Sequence, residues 1–214
     1  MASGDFLDPR ARAVVDRLHA LSERQTRKMM LPALLGMAAG ILRRDKTDFT
    51  QTERGKAILA DKLVAFDRNK AEFCYTLCRA LNAGCVVEAG TSCGVSTVYL
   101  AAAVRGNKPR GVVIGTEHEP AKVKAARENF AAAGVAEFID LREGDLRETL
   151  QHIERPVDFM LIDIWAPMAR PALERVAPRM RSGAMVVCDN QQDFGRRIAS
   201  ISISSMMRQT DSSR

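Results

Sequence analysis

The sequence contains no long apolar segment and no paired cysteine motif. Its longest apolar run, residues 31–42, is far shorter than the roughly 20 residues that a bilayer requires, and no basic-then-apolar start resembles a signal peptide. The five cysteines form an odd set without C-x-x-C spacing, which argues against a disulfide framework and against a zinc site. We therefore expect a soluble, cytoplasmic protein with reduced thiols and no membrane partner.

Clusters of one charge sign are also absent. The 32 Lys and Arg residues outnumber the 26 Asp and Glu residues, but the two signs are interleaved along the chain, so a nucleic-acid partner is not expected. There is no internal repeat. With 214 residues, 46% of them hydrophobic, the chain can bury one good-sized core.

The chain is organised around residues 86–97, which read VVEAGTSCGVST. The apolar run that ends there predicts a buried parallel strand over residues 85–89, and the alanine-rich stretch over residues 96–104 predicts a helix with a Ser/Thr start that can cap it. Gly90 and Gly94 allow the backbone to pass close to a bound molecule. The helix start offers unpaired N–H groups, so we expect a ligand at this turn.

The spacing of the glycines selects among ligands. A dinucleotide fingerprint reads G-x-G-x-x-G, whereas this turn reads G-x-x-x-G with Glu88 two residues before the first glycine. A carboxylate repels a pyrophosphate and attracts a cation, which disfavours a nicotinamide enzyme. S-adenosylmethionine carries both an ammonium and a sulfonium.

Residues 88–96, EAGTSCGVS, resemble motif I of the class I methyltransferases and are most similar to the catechol-type small-molecule O-methyltransferases. The resemblance extends over about residues 70–190. It implies a Rossmann-like methyltransferase sheet, S-adenosylmethionine as the cofactor, and methyl transfer to a hydroxyl of a small, aromatic acceptor with the help of Mg²⁺.

Helical and strand patterns alternate, which predicts an α/β fold with a doubly wound, mostly parallel sheet of five to six strands and an N-terminal helical cap. The predicted regions are a cap over residues 1–69, a cofactor-binding domain over 70–195, and a short edge strand with a disordered tail over 196–214. Strands are predicted over residues 85–89, 111–116, 138–141, 157–162 and 183–188. Helices are predicted over residues 9–28, 32–44, 52–66, 70–81, 96–104, 120–133, 145–151 and 168–177.

The fourth of these helices has one apolar stripe, formed by Phe73, Leu77, Cys78 and Leu81. The resemblance implies that the segment entering this helix closes over the cofactor, which would bring Val64 and Phe66 near it.

Several polar residues follow strand ends, where open parallel sheets bind ligands. Glu117 can accept both ribose hydroxyls or be a solvated loop carboxylate, and His118 can touch the adenosine or face solvent. The resemblance implies adenine contacts at Asp145, which can instead cap a helix. Trp165 can cover the adenine or fill the core. The predicted cofactor-binding set is Glu88, Gly90, Ser92, Ser96, Glu117, His118, Asp145, Asp163 and Trp165.

Three oxygen ligands follow the last two predicted strands. Asp163 ends one strand and Asp189 and Asn190 end the next, so the three should converge, as Mg²⁺ prefers, and they match the metal ligands of the catechol-type family. Asp163 and Asn190 are the predicted catalytic residues. The alternative is that Asp163 contacts cofactor or solvent while residues 189–190 form an Asx-type turn.

The sequence departs from the family at Ala166, where catechol-type enzymes have a lysine. Arg170 cannot replace that general base because a guanidinium stays protonated. Either the metal suffices, or the acceptor is more acidic than a phenol, or activity is weak. The alternatives left open are a cofactor-binding partner subunit and a nucleic-acid methyltransferase, although residues 163–166 lack the Asn/Asp-Pro-Pro-aromatic motif of the latter.

Only 24 residues follow Asn190, too few for the helix and strand pair with which the family usually ends. We expect at most one short strand over residues 198–203, a mobile stretch over 204–214, and an exposed sheet edge. Such an edge presents unpaired backbone groups, which predicts self-association, for example as a homodimer.

Overall fold

The computed structural model describes residues 6–25, 65–107 and 111–189. The helix predicted over residues 32–44 lies outside the described residues, as does nearly all of the helix predicted over 52–66. The same is true of Asn190, of the strand predicted over 198–203 and of the tail.

In the described part of the chain a five-stranded sheet forms the centre, and all of its strand pairs are parallel. The strand order is β3-β2-β1-β4-β5, so the first strand lies in the middle and the chain moves outward to either side of it. This arrangement confirms the predicted doubly wound α/β fold. The strands are β1 (Cys85–Ala89), β2 (Val112–Glu117), β3 (Ile139–Glu143), β4 (Val157–Ile162) and β5 (Met180–Cys188).

Helices cover both faces of the sheet. None of those in the described ranges is long and apolar enough to cross a membrane. They are α1 (residues 9–25), α2 (Arg68–Ala80), α3 (Val95–Asn107), α4 (Pro120–Ala133), α5 (Leu146–Thr149) and α6 (Ala166–Val176), with two short 3₁₀ turns at Ala136–Phe138 and Ala177–Arg179.

Two apolar clusters, one on each face, hold these layers together. Val86 of β1 and Phe159 of β4 belong to the cluster with α1 to α4. Val87 and Met160, the next residue of each strand, belong to the cluster with α5 and α6. Since successive side chains of a strand point to opposite faces, strands covered on both sides become continuous apolar runs, which is why the sequence revealed them.

The buried face of α2 differs from the predicted stripe. Ala71, Cys74 and Cys78 are buried, whereas Phe73 is 57% exposed. Leu77 and Leu81 are only partly buried, at the margin of the cluster. Small side chains on the inner face let α2 lie close to α3, and this packing outweighs the larger apolar surface of Phe73. The helix is thus rotated relative to the prediction, which determines what its first turn presents to the site.

A buried acid joins the strands at the end of the sheet away from the glycine turn. Asp158 Oδ2 accepts hydrogen bonds from the N–H groups of Gly84 (2.7 Å) and Cys85 (2.9 Å), and its Oδ1 accepts one from Arg181 Nε at 2.5 Å. Burial raises the pKa of this carboxyl, but the hydrogen bonds outweigh burial and the pKa is lowered overall. Asp158 therefore links β1, β4 and β5 as an ion, away from the candidate site.

Candidate functional site

The turn between β1 and α3 requires its two glycines because of their backbone conformation and because other protein atoms lie close to them. Gly90 has φ +96°, and a Cβ there would lie 2.1 Å from the backbone oxygen of Asp163. Gly94 has φ +88°, and a Cβ there would lie 2.3 Å from the ring of Phe130. Both positions favour glycine by conformation and by space. The sequence had suggested close approach to a ligand, and the structure adds close approach to protein atoms.

Glu88 is fully buried at the end of β1. Its Oε2 accepts hydrogen bonds from the hydroxyls of Thr91, at 3.0 Å, and Thr97. Burial raises the pKa of this carboxyl, against the hydroxyls of Ser96, Thr97 and Thr91, which lower it. Its Oε1 has no hydrogen-bond partner among the described residues. A buried acceptor without a donor is costly, so this oxygen is a natural partner for a bound cation.

Ser96 is in the first turn of α3, which begins at Val95, and its side chain is buried beside Glu88. The hydroxyl was expected to cap the helix. Instead it belongs to the set of hydroxyls around the Glu88 carboxyl, together with Thr91 and Thr97, whose part in the site the sequence reasoning missed.

Glu117 ends β2, and its carboxylate organises two loops. Its Oε2 accepts from the N–H of Ser92 at 2.8 Å, while its Oε1 accepts from the N–H groups of His118 at 2.8 Å and Glu119 at 2.9 Å. Glu117 is thus more than a solvated loop acid, because it joins the glycine turn to the start of α4. The side chain of His118 lies on the exposed surface next to it.

Asp145 is the N-cap of α5. It accepts from the N–H of Arg147 at 2.8 Å and pairs with the Arg147 guanidinium. The hydrogen bonds with Arg147 lower the pKa of Asp145 to about 2. The structure therefore shows the helix-cap alternative for Asp145. His118 also lies near enough to contribute to the lowered pKa of Asp145.

Asp163 and Asp189 follow β4 and β5, and the sheet brings them together. The N–H of Asp163 donates to Ala89 O and that of Asp189 to Ile162 O, both at 2.9 Å, which extends the strand register to the two acids. Burial first, and then the charges of Asp189 and Glu88, raise the pKa of Asp163 to about 7. The Asp163 carboxyl is thus poorly solvated and within electrostatic reach of Asp189 and Glu88.

Lys70 is a further residue of this site that the sequence reasoning missed. It lies in the first turn of α2, and its Nζ donates to Asp189 Oδ1 at 2.5 Å. Cys74, one turn further on the same face, is buried, and its pKa is raised to about 12 by burial and then by the charges of Glu88, Asp189 and Asp163. The four-residue spacing of Lys70 and Cys74 was visible in the sequence, but the phase of the helix was not.

The other predicted residues are placed as follows. Trp165 precedes α6 and is 42% exposed, so it does not fill the core. Ala166 is the first residue of α6. Phe66 is buried in the cluster with α1, and its expected place beside the cofactor stays a prediction. Val64 lies outside the described residues.

The described residues provide two of the three predicted metal ligands. Asp163 and Asp189 are a carboxylate pair of the kind that Mg²⁺ binds, and the third ligand, Asn190, is not among the residues described. Within the described ranges no group of three or more His, Cys, Asp or Glu side chains is arranged as a metal site. The carboxylates of Asp163 and Asp189 have the chemistry that a divalent cation prefers, and the described residues supply these two ligands.

In sequence, the chain matches one protein family and individual curated relatives. Residues 87–191 match the family described as "Methyltransferase domain". Over 128 residues the chain is 32% identical to the catechol O-methyltransferase of Mycobacterium tuberculosis, an alignment that covers 59% of this chain and 57% of that relative. The chain thus matches little more than half the length of this curated relative.

Solved structures give a similar result. A cofactor-bound protein from MTB superposes with a TM-score of 0.58 at 28% identity, covering 75% of this chain and 79% of that one. The O-methyltransferase from Bacillus cereus in complex with SAH also has a TM-score of 0.58, at 23% identity, covering 76% of this chain and 77% of that one. The second match concerns the fold alone.

Proposed function

We propose that this chain, in which residues 87–191 form a methyltransferase domain related to catechol O-methyltransferases, moves a methyl group from S-adenosylmethionine to a hydroxyl of a small, aromatic acceptor, with help from a divalent cation. The observation that carries the proposal is the close approach of Asp163 to the glycine turn, where the charges of Glu88 and Asp189 act on it. Such a site favours ligands that bring positive charge.

The cationic end of the cofactor is assigned to the carboxylates. Glu88 Oε1 needs a donor, and the ammonium of S-adenosylmethionine is one. Because Glu88 is fully buried, this contact requires a small opening of the turn. Asp163, whose pKa is about 7, is driven to its charged form by a neighbouring cation. The methionine side thus lies along Gly90 and Ser96.

The nucleoside is assigned to the end of β2. Each oxygen of a carboxylate can accept more than one hydrogen bond, so Glu117 can hold its backbone donors and still accept from the ribose hydroxyls. Ser92 and His118 flank this position. We assign Asp145 and the exposed ring of Trp165 to the adenine side.

The divalent cation is assigned to Asp163, Asp189 and Asn190. When bound, Mg²⁺ acts as a Lewis acid, and a phenol of pKa about 10 requires about 4 kcal/mol to ionise at pH 7, much of which such a cation can cover. Asp163 is assigned to both cofactor and cation, so it sets the distance between donor and acceptor. Positioning is the chain's main task, since an in-line displacement gains most from orientation.

Ala166 leaves the expected general base missing at the start of α6. The acceptor hydroxyl therefore has to be acidified by its surroundings or be acidic by itself. A second candidate function, favoured by this position, is a subunit that binds the cofactor without turnover. A screen of catechols, hydroxycinnamates and polyketide phenols, with S-adenosylmethionine and Mg²⁺, separates the two, because cofactor binding with no methylated product supports the subunit.

Replacing Glu117 with alanine is expected to weaken S-adenosylmethionine binding by about ten- to a hundredfold, because hydrogen bonds to a charged acceptor contribute roughly 1.5–3 kcal/mol. Calorimetric titration measures this directly. The matched control is Glu119→Ala, which removes an exposed neighbouring acid that makes no side-chain cap of α4. Equal affinity in Glu117→Ala and wild type would remove Glu117 from the ribose site.

Removing the divalent cation is expected to abolish methyl transfer, and adding Mg²⁺ to restore it, because the acceptor then lacks its Lewis acid. Asp189→Ala is expected to lose turnover and metal dependence together while keeping cofactor affinity within a few fold, since Asp189 lies on the acceptor side. Product formation in EDTA, followed by chromatography, is the measurement. Full turnover in EDTA would exclude the metal site.

A further inference from the structure

The ion pair between Lys70 and Asp189 occupies the place assigned to the cation. Lys70 Nζ lies 2.5 Å from Asp189 Oδ1, and Lys70 also attracts the charge of Asp163. One of the two carboxylates assigned to the divalent cation is therefore already paired with a positive charge of the protein.

The geometry of α2 directs Lys70 to this place. Asp67 caps the helix by accepting from the N–H of Lys70 at 3.1 Å, which fixes the backbone of the first turn. Because the inner face of α2 runs through Ala71, Cys74 and Cys78, Lys70 is carried to the end of β5. The contact joins residues 119 positions apart, so it is a feature of the fold and not of the local sequence.

An ammonium and a divalent cation cannot both sit close to the same carboxylate pair without repelling each other. Two like charges a few ångströms apart repel strongly where solvent screening is weak. The side chain of Asp189 is only 19% exposed, so water screens this place little, whereas that of Lys70 is 53% exposed and can withdraw into solvent.

We propose that Lys70 is a built-in competitor of the divalent cation: it neutralises Asp189 in the metal-free protein, must move away before the cation binds, and so sets the affinity of the site for metal. This inference rests on the metal site of the proposed function. Lys70 thereby determines the metal affinity of the site, and so the concentration of free divalent metal that the enzyme requires.

The test is direct binding of Mn²⁺ to the full-length chain, followed by the electron paramagnetic resonance signal of free Mn²⁺. Lys70→Met removes the charge and keeps an unbranched side chain, and it is expected to bind Mn²⁺ about tenfold more tightly than wild type. Lys70→Arg keeps the charge and is expected to bind within about threefold of wild type. Lys124→Met, which removes an exposed lysine of α4, is the matched control for net charge and should also stay within about threefold.

A second measurement uses only the wild-type protein and so does not depend on the folding of a variant. Mn²⁺ is expected to increase the rate at which Lys70 reacts with an amine-reactive ester, relative to Lys124, because displacement breaks the ion pair with Asp189 and lets Lys70 lose its proton to solvent and react as the neutral amine. Peptide mass spectrometry gives both rates in one sample.

The outcomes separate this inference from the proposed function. Equal Mn²⁺ affinity in Lys70→Met and wild type would overturn the role of Lys70 while leaving the metal site in place, and so would tight binding by Lys70→Arg or a Lys70 reactivity that Mn²⁺ does not change. Absence of Mn²⁺ binding in wild type and in Lys70→Met alike would overturn the metal site, and this inference with it. Cofactor binding, measured in the same samples without metal, is independent of either result.

Discussion

Replacing Asp163 with asparagine is expected to raise the free energy of unfolding by about 2–4 kcal/mol at pH 8 and to leave it nearly unchanged at pH 4. Burial, Asp189 and Glu88 raise the pKa of Asp163 from 3.8 to about 7, while Lys70 acts in the opposite direction. The native state therefore binds this proton more tightly than the unfolded chain does. The contribution of this bound proton to the free energy of unfolding is fully present below about pH 4 and is lost as the pH rises through about 7.

Urea unfolding of both proteins at pH 4, 6 and 8 measures the effect, since asparagine cannot ionise and removes the loss at high pH. The matched control is Glu137→Gln, an exposed acid in the 3₁₀ turn before β3, which should change stability by less than about 0.5 kcal/mol at each pH. A difference between Asp163→Asn and wild type that is the same at all three pH values would contradict the raised pKa.

This prediction connects stability with function. A site that buries a carboxylate within electrostatic reach of two others costs stability, and natural proteins retain such a cost where a ligand repays it. In the proposed function S-adenosylmethionine and a divalent cation would both bring positive charge to Asp163, so both are expected to stabilise wild type more than Asp163→Asn. Lys70 already supplies part of that charge when no ligand is bound.

The central elements could be predicted closely from the sequence. The bounds of β1 and β4 agree with the prediction, because strands buried on both faces have unbroken apolar runs. The bounds of α4 also agree, because Pro120 begins the helix and Gly134, at φ +69°, ends it. The resemblance to the catechol-type methyltransferases is confirmed by the domain match and by the curated relatives.

The side chains around the site were harder to predict because their contacts are not local. The proximity of Asp163 and Asp189 could be predicted from the sequence, since the alternation of strands and helices makes β4 and β5 neighbours. The contact of Lys70 could not be predicted, because it depends on how α2 is rotated about its axis. The helix buries its small residues and leaves the larger Phe73 exposed. The hydroxyls of Thr91 and Thr97 were missed because their role depends on the burial of Glu88.

Replacing Gly90 with alanine is expected to cost at least about 3 kcal/mol of stability and to abolish S-adenosylmethionine binding. A Cβ at Gly90 would lie 2.1 Å from the backbone oxygen of Asp163, a residue held in the strand register by the hydrogen bond from its N–H to Ala89 O. Either the turn or the end of β4 must therefore move. Both carry proposed cofactor ligands, so stability and binding should fall together.

The matched control is Gly144→Ala, which separates conformational strain from collision. Gly144 has φ +126°, but the nearest atom to a Cβ there, Thr149 Cγ2, lies at 3.5 Å, which is an ordinary contact. We expect Gly144→Ala to lose only about 1–2 kcal/mol, from backbone strain, and to keep most of its cofactor affinity. Thermal unfolding and calorimetric titration of the two variants measure both quantities. If Gly90→Ala behaved like Gly144→Ala, the close approach of the turn to Asp163 would not be what sets the site, and the ligand positions proposed for Gly90 and Asp163 would have to be abandoned.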